Sequence, residues 1–230
     1  MYREPITLDL PENLIEFPQM AEDHLAWLKG TPSPIEEDAD NTLVIIVNGP
    51  AQSGKDTLSE TVRGHFYDVV DLPRENAWAY NLSTVDHIKE IAAESFGWDG
   101  MKDEKGRTLL WSLKNVMTDY NDGVFKGITD RIDRISKRTP EDLHLFVIHS
   151  REPDEIERFQ VKYPCSYSVY INRPAVLKES PPTQSDDPDI IENYPYDFYL
   201  DNETTLEAFE ASCQFMIEHI LTVEGRCKPV

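Results

Sequence analysis

The 230-residue sequence is poor in positive charge: 22 lysines and arginines stand against 43 aspartates and glutamates, for a formal net charge of -21. A surface with that balance repels phosphate backbones and anionic lipid, which argues against nucleic acid and membranes as partners. Cysteine is scarce. Cys165, Cys213 and Cys227 are odd in number, far apart and without metal-type spacing, so neither a disulfide framework nor a zinc site is indicated and the thiols are expected to be reduced. No apolar run approaches the roughly 20 residues that cross a bilayer. Residues 1–16 lack the basic and apolar regions of a signal peptide, so the expected location is the cytoplasm. With no internal repeat, no Ser-His-Asp arrangement and no G-x-S-x-G elbow, covalent acyl chemistry has no support either.

What is present is the composition of an ordinary globular domain, 40% hydrophobic, 10% aromatic and 28% charged. The length suits one α/β domain with a buried sheet better than two domains. Residues 1–40 read as an acidic N-terminal arm that includes Glu36-Glu37-Asp38-Ala39-Asp40. Its one apolar patch, Leu25-Ala26-Trp27-Leu28, predicts a short helix, packed either on the domain's own back face or against a second copy in a homo-oligomer. Residues 41–230 form the domain itself.

Within that domain the β-branched run 43–47 predicts a strand buried on both faces, followed by a Gly-rich turn and a helix over 56–66. A second strand is expected at 77–82. Ser83 or Thr84 would then cap a helix running to Phe96 and ended by Gly97. Residues 103–138 are helical in period, with apolar positions at Leu109, Leu110, Leu113, Val116, Met117, Val124, Phe125, Ile128, Ile132 and Ile135, and Asn121-Asp122-Gly123 splits them into two helices. A strand at 143–148, a helix at 153–159, a strand at 167–171, a polar Pro-rich loop at 174–193, a strand at 196–200 and a helix at 204–221 complete the pattern. Strands alternating with helices argue for a five-stranded parallel sheet covered on both faces, a three-layer αβα architecture.

The strongest chemical signal is Gly49-Pro50-Ala51-Gln52-Ser53-Gly54-Lys55-Asp56-Thr57, which fits G-x-x-x-x-G-K with Asp-Thr where a single Ser or Thr usually stands. It follows the buried-strand pattern and opens a helix, so backbone amides and the helix dipole can converge on an anion. Gly49 and Gly54 permit the wrap, Gln52 and Ser53 contribute amides, and Lys55 would reach the β and γ phosphates of ATP. Mg²⁺ would be held by Asp56 or by the Thr57 hydroxyl, while Asp56 serves equally well as a helix cap.

Ser-Gly-Lys-Asp-Thr after a hydrophobic strand resembles the deoxynucleoside monophosphate kinases of bacteriophages and related P-loop kinases for dephospho-CoA and phosphomevalonate. The similarity extends loosely over residues 41–221. Leu82-Ser83-Thr84-Val85-Asp86-His87-Ile88-Lys89, then Phe96-Gly97-Trp98, stand where that group has a Ser-x-Ala-x-x-Leu-Lys type segment. Lys102, Lys105 and Arg107 precede Leu109-Leu110, Ile148-His149-Ser150-Arg151-Glu152 follows the third strand, and Asp201-Asn202 matches a final turn. The resemblance implies a P-loop NTPase fold of nucleoside-monophosphate-kinase type that transfers a phosphoryl group from ATP to a (deoxy)nucleoside monophosphate. Ser83, Lys89 and Arg107 would then hold the acceptor, within a segment at about 83–138, and 174–193 would be lid-like.

Each of these residues has a plainer reading. Ser83 is also a helix cap, Lys89 and Arg107 are also solvated face residues, and Arg151 serves either as a catalytic charge or in a bridge to Glu155. Trp98, Trp111 and Tyr120 fit the core better than a base stack. Two departures bear on the activity. His149 stands where the family often has a carboxylate near Mg²⁺, and the lid-like loop carries one basic residue, Lys178, beside Asp186, Asp187 and Asp189. The transition-state arginine would then be Arg151, Arg173, Arg131 or Arg134. The expected activity is that of an ATP-dependent phosphotransferase. A kinase for another phosphorylated metabolite, dephospho-CoA-like, and a non-catalytic nucleotide-binding regulatory protein are the alternatives.

Overall fold

The computed structural model describes residues 41–101, 103–174 and 194–227. The expected arm at 1–40, Lys102 and all of the lid-like loop except Pro174 lie outside them. The elements in chain order are β1 (Thr42–Asn48), α1 (Lys55–Val69), a 3₁₀ turn (Arg74–Asn76), β2 (Ala77–Ser83), α2 (Asp86–Phe96), α3 (Glu104–Asn121), α4 (Gly123–Ser136), β3 (Leu143–His149), α5 (Pro153–Lys162), β4 (Ser166–Asn172), β5 (Phe198–Asp201) and α6 (Leu206–Val223). The strands form one sheet in the order β2-β3-β1-β4-β5, every neighbouring pair parallel. This is the five-stranded α/β architecture expected from the alternation. No helix among the described residues is long and apolar enough to cross a membrane, and among them no disulfide links the cysteines.

β1 lies at the centre, and all seven of its residues are buried, as a strand covered on both faces requires. Its alternate side chains feed two cores. Leu43, Ile45 and Val47 join Leu58, Val62 and Phe66 of α1 and Phe209, Cys213 and Ile217 of α6 on one face. Val44 and Ile46 join Ile128 and Ile132 of α4 and Ile156 and Phe159 of α5 on the other. Every parallel strand ends at the same edge, so the loops after β1, β2, β3 and β4 gather where ligands of open α/β sheets bind.

Local chemistry sets most boundaries. Gly97 ends α2 in the left-handed conformation, φ 65, and Asp122 does the same between α3 and α4, φ 59. Asp103 caps α3 by accepting from Gly106 N at 2.7 Å, and Thr205 caps α6 by accepting from Ala208 N at 3.3 Å. Three expectations need correction. α2 begins at Asp86 with no side-chain cap; Ser83 instead completes β2, where its hydroxyl accepts from Val85 N at 3.4 Å.

The last strand begins at Phe198 rather than at 196. The Asp197 carboxylate accepts from Ser168 N at 2.7 Å and from Ser168 Oγ at 2.8 Å, so a side chain replaces the backbone ladder at that point. The apolar positions of α3 do not form core either. α3 packs mainly on α2 and α4 and fully buries only Gly106, leaving Trp111 52%, Val116 64% and Tyr120 86% exposed. Trp111 and Tyr120 are therefore surface aromatics, not the core residues the periodicity predicted.

Candidate active site

The loop between β1 and α1 turns on three residues with positive φ: Gly49 at 144, Gln52 at 62 and Gly54 at 108. Glycine is required at two of them by space as well as by angle. A Cβ on Gly49 would sit 2.7 Å from the Ile171 carbonyl oxygen, and one on Gly54 would sit 2.5 Å from Asn202 Nδ2 and 3.1 Å from the Phe209 ring. Gly54 occupies the N-cap of α1, where it has no side chain to offer, and helical bonding starts with Leu58 N donating to Gly54 O at 2.9 Å. The amides at the head of α1 thus have no side-chain cap and point out of the helix, with its dipole behind them.

Local and long-range bonds hold the loop in shape. Gly49 N donates to Asn48 Oδ1 at 2.7 Å, Arg173 Nη1 donates to Gln52 O at 2.7 Å, and Asn202 Nδ2 donates to Ser53 O at 2.7 Å. Lys55 Nζ folds over the turn and donates to Gly49 O at 2.7 Å and Pro50 O at 2.5 Å. Ser53 Oγ is fully buried beneath it and has no hydrogen-bond partner among the described residues. An unpaired buried hydroxyl costs about 1–3 kcal/mol, a cost that a loop built only for stability would avoid.

Asn48 forms the floor. It is buried, and its Nδ2 donates to the Tyr196 hydroxyl at 2.7 Å and to Arg151 O at 3.0 Å. Burial pushes the Tyr196 hydroxyl far above its ordinary value, so it stays neutral. His149, in register with Val47 of β1 and Ser83 of β2, closes the side. Its Nε2 lies 2.7 Å from Ser59 Oγ of α1, and its Nδ1 lies 3.9 Å from Asp56 Oδ1. Burial is the main reason its pKa is lowered, with Asp56 opposing and Lys55 adding to the effect.

The structure places the expected residues as follows. Gly49, Gln52, Ser53, Gly54, Lys55, Asp56 and Thr57 form the loop and the first turn of α1. Asp56 is not the helix cap, because Gly54 holds that position; its carboxylate is 94% exposed at the mouth. Ser83 ends β2 beside His149, and Lys89, held by Asp86 at 2.9 Å, is near enough to act on the His149 charge. Arg151 follows β3 at the same edge. Glu155 accepts from Ser150 Oγ at 2.7 Å and pairs with Lys114 Nζ at 3.3 Å.

Arg107 is different. It is exposed in the first turn of α3, and no contact joins its side chain to the loop among the described residues. Arg131 and Arg134 lie on the C-terminal half of α4. α4 ends at Ser136, whose hydroxyl accepts from Thr42 Oγ1 at 2.9 Å, so both arginines lie toward the edge where β1 begins. The seven residues of β1, at about 3.3 Å each, put the loop about 20 Å from Thr42. Arg173 is at the correct edge, holding Gln52.

Sequence reasoning missed Asn48, Ser59, Tyr196 and the clamping role of Asn202. Of these only Asn202 had a local signal, as part of a turn after a strand; the others become visible only when distant segments are paired. Among the described residues no three His, Cys, Asp or Glu side chains converge as a metal site. Asp56 and His149 instead offer two donors 3.9 Å apart beside the loop, which suits an ion that brings most of its ligands with it. An open groove on the outer flank of α4 and α5, lined by Phe125, Asp154, Glu157, Arg158, Val161 and Lys162, has its arginine already held by Asp122 and stacked over Phe125.

No protein-family model matches the chain, and no curated protein sequence matches it. Several solved structures are similar. Shikimate kinase from Acinetobacter baumannii, in complex with shikimate, is 14% identical with a TM-score of 0.44, over 80% of this chain and 95% of its own. A gluconokinase from Sinorhizobium meliloti is 13% identical with a TM-score of 0.41, over 80% and 94% of the two chains. The APS kinase of Mycobacterium tuberculosis, in complex with AMPPNP and APS, is 12% identical with a TM-score of 0.41, over 79% and 98%. At such identities the similarity is one of chain path, and it assigns this protein no substrate.

Proposed function

We propose that this chain is an ATP-dependent phosphotransferase whose acceptor is a (deoxy)nucleoside monophosphate. One observation carries the reading. A glycine-wrapped turn presents the uncapped amides of α1 with the Lys55 ammonium folded across them, at the edge where four strand-ending loops meet. That combination binds a polyphosphate through backbone donors and a point charge. Lys55 Nζ bonds two loop carbonyls, from which a phosphate oxygen would draw it away.

In the reaction the loop amides hold the donor phosphates, and Lys55 offsets the charge that gathers on the transferred group. Arg151 and Arg173 are the arginines at the correct edge. Asp56 and Thr57 would hold a divalent ion brought with the nucleotide; when bound, such an ion neutralises phosphate charge. Ser83 and Lys89, beside His149, would receive the acceptor's phosphate, so that donor and acceptor share one cleft. A phosphate acceptor at neutral pH needs no strong base, and alignment then supplies most of the rate. The alternative of a nucleotide-binding protein without turnover is favoured by one feature, the histidine in place of a carboxylate at position 149.

A coupled ADP-release assay across ribo- and deoxynucleoside monophosphates separates the readings. Acceptor-dependent turnover is expected, and Lys55→Ala should lower it by at least about a hundredfold with unchanged circular dichroism. Rates unaffected by that substitution would remove the proposed site. Nucleotide binding without acceptor-dependent ADP release would favour the regulatory alternative.

A further inference from the structure

The hydrogen bonds around His149 favour one tautomer of its ring. Ser59 Oγ donates its single hydrogen to the Lys55 carbonyl at 2.9 Å, the bond a helical serine makes to the preceding turn. Its 2.7 Å contact with His149 Nε2 therefore has the serine oxygen accepting and Nε2–H donating. In the neutral ring this leaves the lone pair on Nδ1. Nδ1 lies 3.9 Å from Asp56 Oδ1, so a lone pair and a carboxylate face one another across a gap at the mouth of the anion-binding loop. Two acceptors do not attract each other; the pair is arranged for something positive between them.

We propose that His149 Nδ1, together with Asp56, is a ligand of the divalent ion that arrives with the nucleotide, and that this nitrogen donor makes the site favour Mn²⁺ over Mg²⁺. The inference rests on the nucleotide reading above. Bonds of about 2.1 Å place two adjacent ligands of one octahedral ion about 3 Å apart, so the 3.9 Å gap must narrow by about 1 Å on binding. The exposed Asp56 carboxylate can rotate to close it. Metal-binding histidines donate their second nitrogen to a fixed acceptor that orients the ring, and Ser59 does this here. Imidazole suits transition ions, whereas Mg²⁺ takes oxygen ligands and keeps its waters.

The test uses the full chain with histidine labelled by ¹⁵N, Mn²⁺ and the β,γ-methylene analogue of ATP, followed by pulsed electron paramagnetic resonance. A ¹⁵N coupling from coordinated imidazole is expected beside the ³¹P coupling of the nucleotide, and His149→Gln should lose the first and keep the second. Unlabelled adenine nitrogen cannot imitate that signal. Phosphorus coupling without histidine ¹⁵N coupling in the native protein would overturn this inference while leaving the nucleotide site in place. Failure of the protein to bind the Mn²⁺ complex at all would remove both. Titration of the analogue with each ion gives an independent measure: the ratio of the Mg²⁺ to the Mn²⁺ Kd should fall by about tenfold in His149→Gln, and an unchanged ratio would also count against the proposal.

Discussion

Asn202, one residue past the end of β5, donates its Nδ2 to the carbonyl of Ser53, 149 residues earlier in the chain, at 2.7 Å. Its own amide is anchored on Asn172 O at 2.9 Å, at the end of β4. The loop between β1 and α1 is thus held from behind by the far side of the sheet. Asn202→Ala removes one neutral hydrogen bond, about 1 kcal/mol, and frees the Ser53 peptide to rotate. A several-fold rise in the Kd for ATP is expected by calorimetry, with a fall of only a few degrees in Tm. An unchanged Kd would show that the loop keeps its shape without the clamp.

Gly49 and Gly54 should differ in what they tolerate. At Gly54 the nearest obstacle to a Cβ is the Asn202 side chain, which can shift; at Gly49 it is the backbone oxygen of Ile171, which is fixed in β4. Both have positive φ, which costs a non-glycine residue about 1–2 kcal/mol before any clash. Gly49→Ala should therefore be the more destabilising, by urea unfolding, and should lose nucleotide binding even at temperatures where the chain stays folded.

The positions of Arg131 and Arg134 predict silence. Both lie on α4 toward Ser136, which touches the first residue of β1. Replacing them together with alanine should leave kcat and KM within about twofold, because exposed charges at that range are screened by salt. A large loss of kcat would place them in the reaction after all.

Acid sensitivity is expected from His219. It sits on α6 against the edge of Phe198, its Nε2 buried without a partner among the described residues, and burial lowers its pKa below 6.5. Above pH 6.5 the ring is neutral in both the folded and the unfolded chain, so its contribution is fully present there. As pH falls below 6.5 the unfolded chain takes up the proton first, and stability is lost progressively down through the lowered folded value. His219→Leu should flatten the fall in Tm between pH 7 and pH 5 relative to the native protein. An equally steep fall would assign the acid sensitivity to other groups.

The segment from β1 through the loop to α1 could be read from residues close together in the chain. A β-branched run has one stable home in a doubly covered sheet, and Gly49, Gly54 and Lys55 constrain the backbone within a single turn. The break at Asp122 and the stop at Gly97 were legible for the same reason, since a left-handed residue ends a helix whatever surrounds it. Periodicity misled at α3, where it recorded apolar residues but not what would cover them: the helix packs on its neighbours instead of on the sheet, and Trp111 and Tyr120 stay outside.

Other features depended on which strands became neighbours. Placing β3 between β2 and β1 brings His149 to Ser59 and Asp56, while adding β5 beyond β4 brings Asn202 to Ser53 and Tyr196 to Asn48. Those pairings close loops of 90 to 149 residues, and no local pattern encodes them. A side chain's type can show that it will be buried or bonded, but strand order, fixed by the combined packing of both cores, selects its partner.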